Sequence, residues 1–225
     1  MGAAGSKPPR PDESRRAPAR ARVGVLSLQG DFACHRASLA ALGVEPVRVT
    51  GPRDLDGLDA LILPGGESTT MLRLVETKGL RAPLAEFLGR RPALGTCAGV
   101  ILLGKGGERL PHPPFAVLDV TVSRNAYGRQ IDSFTETIEA PALDGPFHGV
   151  FIRAPRIVAV GPGVEVVARR TAPGAAGEVV GVRAGRFVGL CFHPELTSDL
   201  RFHRWFLGDV AGIRLPVAAA VGVTD

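Results

Sequence analysis

Four short apolar runs, at residues 23–28, 44–49, 60–63 and 93–96, are separated by stretches whose apolar residues recur at helical spacing. This alternation constrains the fold more than any other feature of the chain. Val23 to Leu28 stops at Gln29-Gly30, and Asp31 then precedes a stretch with Phe32, Ala33, Leu39 and Leu42 at helical spacing, ending at Gly43. Val44 to Val49 reads as a second strand and Ala60 to Leu63 as a third, closed by Pro64-Gly65-Gly66. Ser68 or Thr69 is expected to cap a helix reaching about Lys78, and a further helical stretch runs from Ala82 to Leu88. Ala93 to Thr96 is a fourth strand, after which Val100 to Leu103 opens another helix. Strands alternating with helices require right-handed crossovers. The expected class is therefore α/β, three-layered, with a mostly parallel central sheet and helices on both faces.

Beyond Pro111 the texture is richer in strands, at 117–123, 134–139, 150–152, 157–160, 164–168, 179–182 and 187–192. Turns such as Pro162-Gly163 and Pro173-Gly174 separate several of them. A helix from about Ser198 to Val210 is expected to close the domain, and there is no internal repeat. With 225 residues, 45% of them hydrophobic, the chain can build a core without disulfides or metals. Its three cysteines, Cys34, Cys97 and Cys191, form no CxxC pair, which counts against a disulfide framework or a zinc ribbon.

A net charge of +5 invites a nucleic-acid reading, so the position of the charge matters. Residues 1–22 carry six basic and two acidic groups, a net +4, which leaves only +1 for residues 23–225. The expected folded part is thus nearly neutral, and no nucleic-acid partner is expected. The first 22 residues, with Pro8, Pro9, Pro11 and Pro18 and no apolar period, read as a disordered basic tail. They lack the apolar segment of a secretory signal, and their prolines and acidic residues argue against a transit helix. The start MGAAGS fits the short, common myristoylation pattern at Gly2 and Ser6, although a bland tail is the favoured reading. No apolar run approaches the length of a membrane span, so no membrane association is expected. The expected organisation is a tail at 1–22, one domain at 23–212 and a frayed end at 213–225.

Gly95-Thr96-Cys97-Ala98-Gly99 lies between a strand and an apolar helix, the setting of a nucleophile elbow. The tight turn strains its central residue, and the flanking glycines remove side chains that would strike neighbouring strands. A helix N-terminus stabilises a thiolate, which suits Cys97 to nucleophilic attack. A nucleophile needs a base, and the base needs an orienting group. His193-Pro194-Glu195 follows the last strand; proline favours extended chain before it, where residues i and i+2 point the same way. His193 can thus act as base with Glu195 fixing its tautomer. Pro64-Gly65-Gly66-Glu67-Ser68 follows another strand end, where a glycine N–H can reach an oxyanion. In an open α/β sheet such carboxyl ends share one crevice.

Taken singly, each segment also has a plain structural reading. A cysteine among small residues is commonly a buried small hydrophobe, as expected for Cys34 and Cys191. PGGES can be a turn with a helix cap, and the histidines at 35, 112, 148 and 203 are by default surface or core residues. The specificity lies in the conjunction and order of the three segments.

Together, GTCAG, HPE and PGGES resemble the class I (triad) glutamine amidotransferases. LSLQGDF at 26–32, LPGGESTTM at 63–71, GTCAG at 95–99, RNAYGRQIDSF at 124–134, VFIRAP at 150–155 and FHPELT at 192–197 resemble one branch more closely, the glutaminase subunits of pyridoxal 5′-phosphate synthase complexes. The resemblance covers about residues 23–210 and implies a flavodoxin-like α/β fold. It also implies hydrolysis of L-glutamine to L-glutamate and ammonia, the ammonia passing to a separate synthase subunit in a hetero-oligomeric complex. By the same resemblance Cys97, His193 and Glu195 are the triad, and the N–H groups of Gly66 and Ala98 form the oxyanion hole. Gly66, Glu67, Ser68, Arg124, Ile152 and Arg153 lie at the glutamine pocket, where an arginine fork suits the α-carboxylate. For Arg124 and Arg153 the alternative of merely bracing a turn stays open. Gln29, in the matching LQG segment, is expected near the mouth of the site and in signalling from the synthase. The resemblance calls for no cofactor and no metal, and for a cytoplasmic location. Two other readings remain: a stand-alone cysteine hydrolase of the γ-glutamyl hydrolase type, and a non-enzymatic stress sensor using an oxidisable Cys97. Glu195 beside His193 counts against the sensor.

Overall fold

A computed structural model describes residues 20–106, 110–124 and 133–216. The first half alternates as the periodicity requires: β1 (Arg22–Leu26), α1 (Phe32–Ala41), β2 (Glu45–Val49), β3 (Ala60–Leu63), α2 (Ser68–Thr77), α3 (Arg81–Arg90), β4 (Ala93–Thr96) and α4 (Ala98–Leu103). The second half is mostly strand: β5 (Val120–Ser123), β6 (Phe134–Glu139), β7 (Phe147–Phe151), β8 (Arg156–Val160), β9 (Glu165–Arg170), β10 (Val179–Ala184) and β11 (Phe187–Leu190). The short helix α5 (Arg201–Trp205) then runs into a π-helical turn at Phe206–Val210.

Nine strands form one sheet in the order β2-β1-β3-β4-β11-β10-β9-β6-β7, and β5 and β8 pair separately. The five strands from β2 to β11 are parallel. The remaining four extend the sheet antiparallel. The change of direction has a local cause. Only Gly185-Arg186 joins β10 to β11, too little chain for a crossover and the right length for a hairpin, with Gly185 at φ +53°.

β1 lies between β2 and β3, so the chain leaves the middle of the sheet in opposite directions. Right-handed crossovers then put the connecting helices on opposite faces. The loops after β1 and β3 meet at their carboxyl ends, where the Glu67 N–H donates to Gln29 Oε1 at 2.8 Å, and with the loops after β4 and β11 they border the crevice there. All four residues of β3 and all four of β4 are buried, as covering on both faces demands. Fully burying a Leu or Ile such as Leu61, Ile62 or Leu63 contributes about 1.5–3 kcal/mol each. α2 buries Met71, Leu72 and Val75, whereas the buried face of α1 includes the polar His35 and Ser38.

Both chain ends depart from the expected boundaries. Arg22 belongs to β1 and not to a tail: its N–H donates to Asp59 Oδ2 at 2.9 Å and its guanidinium to the Asp56 carbonyl at 2.9 Å. Ala21 is drawn in too, its carbonyl accepting from the Glu45 N–H at 2.8 Å. The tail reading for residues 1–19, including the Gly2 motif, lies outside the described residues. At the other end Ile213 is buried and donates to the Leu207 carbonyl at 2.8 Å, and Pro216 lies over Gly43. Residues 213–216 are therefore packed and not frayed, while 217–225 lie outside the description.

Candidate active site

Cys97 stands between β4 and α4 with φ 49° and ψ −107°, backbone that an L-residue adopts only when its surroundings enforce it. Such strain costs on the order of 1–3 kcal/mol. The surroundings are visible. The Cys97 N–H donates to the Leu190 carbonyl at 2.8 Å, tying the elbow to β11. A Cβ at Gly99 would sit 2.0 Å from the Leu63 carbonyl oxygen, and one at Gly95 would sit 2.5 Å from the Gly99 carbonyl carbon. Both glycines are required by close backbone approach, as the G-x-C-x-G spacing suggests.

His193 and Glu195 meet with Nδ1 and Oε1 2.7 Å apart, both buried. Their juxtaposition does not come from strand alternation, as the sequence reading supposed. Pro194–Leu196 forms a 3-10 turn, which folds the carboxylate back onto the ring. The segment is anchored on both sides. The His193 N–H donates to the Val150 carbonyl at 2.8 Å, and Phe192 packs against Phe147, Phe151 and Phe202 with centroids 5.8, 5.6 and 5.2 Å away. The ring lies over Gly65, where a Cβ would come within 2.3 Å of His193 Cε1. Burial alone drives the His193 pKa down from 6.5; the Cys97 side chain and the Glu195 carboxylate outweigh it, and the imidazole titrates at about 10. For Glu195 burial works to raise the pKa, but His35 and His193 overcome it and hold the carboxylate well below the usual range.

A cavity of about 180 Å³ opens in front of these groups. Gly66, Glu67, Ser68, Cys97, Ala98, Arg124, Ile152, Arg153 and His193 all line it, so sequence-identified segments up to 127 residues apart converge on one wall-to-wall space. Glu195 stands behind His193, outside the lining. The Cys97 thiol donates to the Ile152 carbonyl at 3.8 Å. Arg153 has φ 42°, so two of the three positive-φ non-glycine residues among the described residues, Cys97 and Arg153, border this cavity.

Glu67 has a structural job as well. Its carboxylate, and not Ser68 or Thr69, caps α2: Oε1 accepts from the Thr69 N–H at 3.0 Å and Oε2 from the Thr70 N–H at 2.6 Å. Ser68 is already inside the first turn, and the longer Glu67 side chain reaches back to the free N–H groups. Desolvation works to raise the Glu67 pKa, but these hydrogen bonds, with that from the Thr70 hydroxyl, bring it below its ordinary value. The Glu67 N–H donates to Gln29 Oε1 at 2.8 Å, placing Gln29 against this loop. Arg124 reaches the Thr69 hydroxyl at 2.9 Å, bracing α2 while still lining the cavity. The rest of the RNAYGRQIDSF motif, residues 125–132, lies outside the described residues.

Sequence reasoning missed Asp31, which lines the cavity and has a carboxylate oxygen within 4.8 Å of a His193 nitrogen and a Glu195 oxygen. It also missed His35 and His203, both completely buried. His35 Nε2 lies 3.3 Å from Glu195 Oε2 and 3.1 Å from Thr96 Oγ1, and its Nδ1 lies 3.0 Å from His203 Nε2. A signal for His35 was present: it falls on the Phe32-Leu39-Leu42 face of α1, a polar residue on an apolar stripe.

The sequence profile of the SNO glutamine amidotransferase family matches residues 25–211. The chain belongs to this family. As a family member it is 50% identical over 201 residues to the pyridoxal 5′-phosphate synthase subunit PdxT of Deinococcus radiodurans, covering 85% of this chain and 98% of that one. It is 48% identical over 188 residues to the PdxT subunit of Thermotoga neapolitana, covering 83% and 97% respectively. A solved structure described as a glutamine amidotransferase superposes with TM-score 0.78 at 46% identity, covering 85% of this chain and 99% of that one. The PurLQS structure from Thermotoga maritima, at 21% identity and TM-score 0.60, shares the fold.

Proposed function

We propose that this family member is the glutaminase subunit of a pyridoxal 5′-phosphate synthase, hydrolysing L-glutamine to L-glutamate and ammonia for a separate synthase subunit. The observation that carries the reading is the convergence of Cys97 and the His193–Glu195 pair on one cavity, in a chain about half identical to PdxT subunits over nearly their whole length.

Cys97 attacks the carboxamide carbon of glutamine, and the N–H groups of Gly66 and Ala98 stabilise the oxyanion of the tetrahedral adduct. His193, held protonated well above neutrality, gives its proton to the departing ammonia as the C–N bond breaks. A water then attacks the thioester as His193, now neutral, takes its proton, and collapse of the adduct releases glutamate and returns the Cys97 thiolate beside the imidazolium. Glu195 keeps the ring oriented and stabilises the imidazolium. Arg124 and Arg153 hold the α-carboxylate, and Gly66, Glu67, Ser68 and Ile152 shape the rest of the glutamine pocket. For Glu67 the contribution comes through its backbone, because its carboxylate oxygens are occupied by α2. Gln29, bonded to the Glu67 N–H, links the mouth of the site to the oxyanion loop and carries the signal of synthase docking.

Cys97→Ala is expected to abolish glutamate release while the protein still co-purifies with its synthase. Full activity in that variant would end the mechanism. Turnover that is equally high without the synthase would point instead to a stand-alone hydrolase.

A further inference from the structure

Behind the His193–Glu195 pair the structure continues into a buried chain of groups for which the reaction has no direct use. Glu195 Oε1 is bound by His193, while Oε2, equally buried and without a fully aligned hydrogen bond among the described residues, has His35 Nε2 from α1 3.3 Å away. Asp31 contributes a like charge within 4.8 Å of the same carboxyl group. His35 in turn is bordered by Thr96 from β4 at 3.1 Å and by His203 from α5 at 3.0 Å.

The protons in this chain can be placed by elimination. A bare Nε2 on His35 would set a lone pair 3.3 Å from the buried Glu195 carboxylate, so Nε2 carries hydrogen, lying between the Thr96 hydroxyl at 3.1 Å and Glu195 Oε2. Burial pushes the His203 pKa down to about 3, so His203 is neutral and has one N–H. On Nδ1 that hydrogen would have no acceptor, since Nδ1 is buried without a partner among the described residues. Two bare nitrogens would then meet 3.0 Å apart. The hydrogen therefore sits on Nε2 and donates to His35 Nδ1. Hydrogen on both nitrogens of His35 would leave the His203 N–H on Nδ1, buried with no acceptor among the described residues. The result is a one-way chain: His203 donates to His35, His35 presents its Nε2–H to Thr96 and to Glu195 Oε2, and His193 donates to Glu195 Oε1 from the other side.

We propose that His35 is a positioning residue that locks the second oxygen of the Glu195 carboxylate, and that His203 fixes the tautomer in which His35 does so. The carboxylate is thereby held ionised and unable to rotate away from His193 Nδ1. This inference rests on the glutaminase reading above.

The test is steady-state glutamate release by the full chain with its synthase, measured across pH, with melting temperature recorded for every variant. His35→Leu removes the donor and is expected to lower kcat by roughly tenfold to a hundredfold, the effect of losing a hydrogen bond to a charged group, with KM nearly unchanged. Without that donor Glu195 protonates at higher pH, so the acid limb of kcat moves up by about one pH unit. His35→Gln, which restores an N–H toward Glu195, is expected to recover most of the loss, and His203→Leu to fall between. A folded His35→Leu protein with the parent's kcat and acid limb would overturn the proposal, as would a His35→Gln protein as impaired as His35→Leu. Should His35→Leu not fold, His35→Asn, whose shorter amide stops short of Glu195, carries the same expectations. If the parent protein itself releases no glutamate, the glutaminase reading falls separately. The network is then judged by the downfield His193 Nδ1–H resonance, which His35→Leu is expected to shift; an unshifted resonance refutes the network.

Discussion

Replacing Gly65 by alanine tests whether His193 works where the structure puts it. The added Cβ would lie 2.3 Å from His193 Cε1, 3.0 Å from Nδ1 and 3.2 Å from Nε2. Gly65 is not among the positive-φ glycines, so alanine meets no backbone strain there and the effect is purely steric. Restoring ordinary contact of about 3.4 Å requires a retreat of about 1 Å. The ring cannot make that retreat freely. Its Nδ1 is tied to Glu195 at 2.7 Å, and its backbone is held by Val150 and by the packing of Phe192. A displacement of about 1 Å in a catalytic constellation costs on the order of 100-fold in rate. Overpacking of this size costs on the order of 1–3 kcal/mol in stability. Gly89→Ala is the control, because nothing lies within 4 Å of a Cβ at that exposed position of α3. It is expected to leave kcat unchanged and to stabilise by about 0.5–1 kcal/mol. Glutamate release with the synthase present, alongside calorimetric unfolding, reads both quantities. A folded Gly65→Ala protein within about twofold of the parent's kcat would refute the placement of His193, since a shift of about 1 Å ought to be felt far more strongly.

The melting temperature should pass through a maximum near neutral pH. His193 titrates at about 10 in the folded protein against 6.5 ordinarily, so its stabilisation is complete below about pH 6.5 and is lost as pH rises toward 10. His203, lowered to about 3, has the opposite sign: the unfolded chain takes up its proton first, and stability falls as pH drops below about 6.5. Glu195, depressed below its ordinary 4.5, adds a further loss at lower pH. A melting temperature that rises steadily from pH 7 to 10 would contradict the assignment of His193. Away from the cavity, Glu136 accepts from Arg170 at 2.6 Å and from the N–H groups of Thr171 and Ala172 at 3.1 and 3.0 Å. Glu136→Ala is expected to cost about 3 kcal/mol in denaturant unfolding with kcat intact below the melt; a loss under about 1 kcal/mol would contradict the weight given to this nearly buried pair.

The parallel half of the fold was legible because its signals are local. Short apolar strands end at glycine, and helical periods follow, so β3, β4 and their loops fall where the pattern puts them. The elbow was legible for the same reason: close approach explains each glycine beside Cys97. Features that depend on turn geometry, on side-chain reach or on distant partners were harder to read. The antiparallel extension depends on a two-residue turn at Gly185-Arg186, which a strand list does not orient. Glu67 displaced Ser68 as the cap of α2 because reach, and not residue preference, decided which carboxylate or hydroxyl met the free N–H groups. His193 and Glu195 were correctly paired but through a 3-10 turn. His35 meets partners 61 and 168 residues away, and only its place on an apolar helix face hinted at them.

The curl of the sheet brings its last strand back to its chemistry. β7 is the end strand of nine, yet the carbonyls of Val150 and Ile152, within and just beyond it, accept from the His193 N–H and the Cys97 thiol. Backbone groups that an end strand would leave open to another chain are thus engaged inside the molecule. The opposite edge, β2, carries Pro46 between Glu45 and Val47, with Arg48 following, and both proline and charge discourage pairing there. A sheet of this width, stopped at one border by its own reacting groups and at the other by proline and charge, is poorly suited to growth by strand addition. Strand addition at either border of this sheet is thus a poor route to association with another subunit, and the loops that gather at the crevice lie at the carboxyl ends of the parallel strands instead.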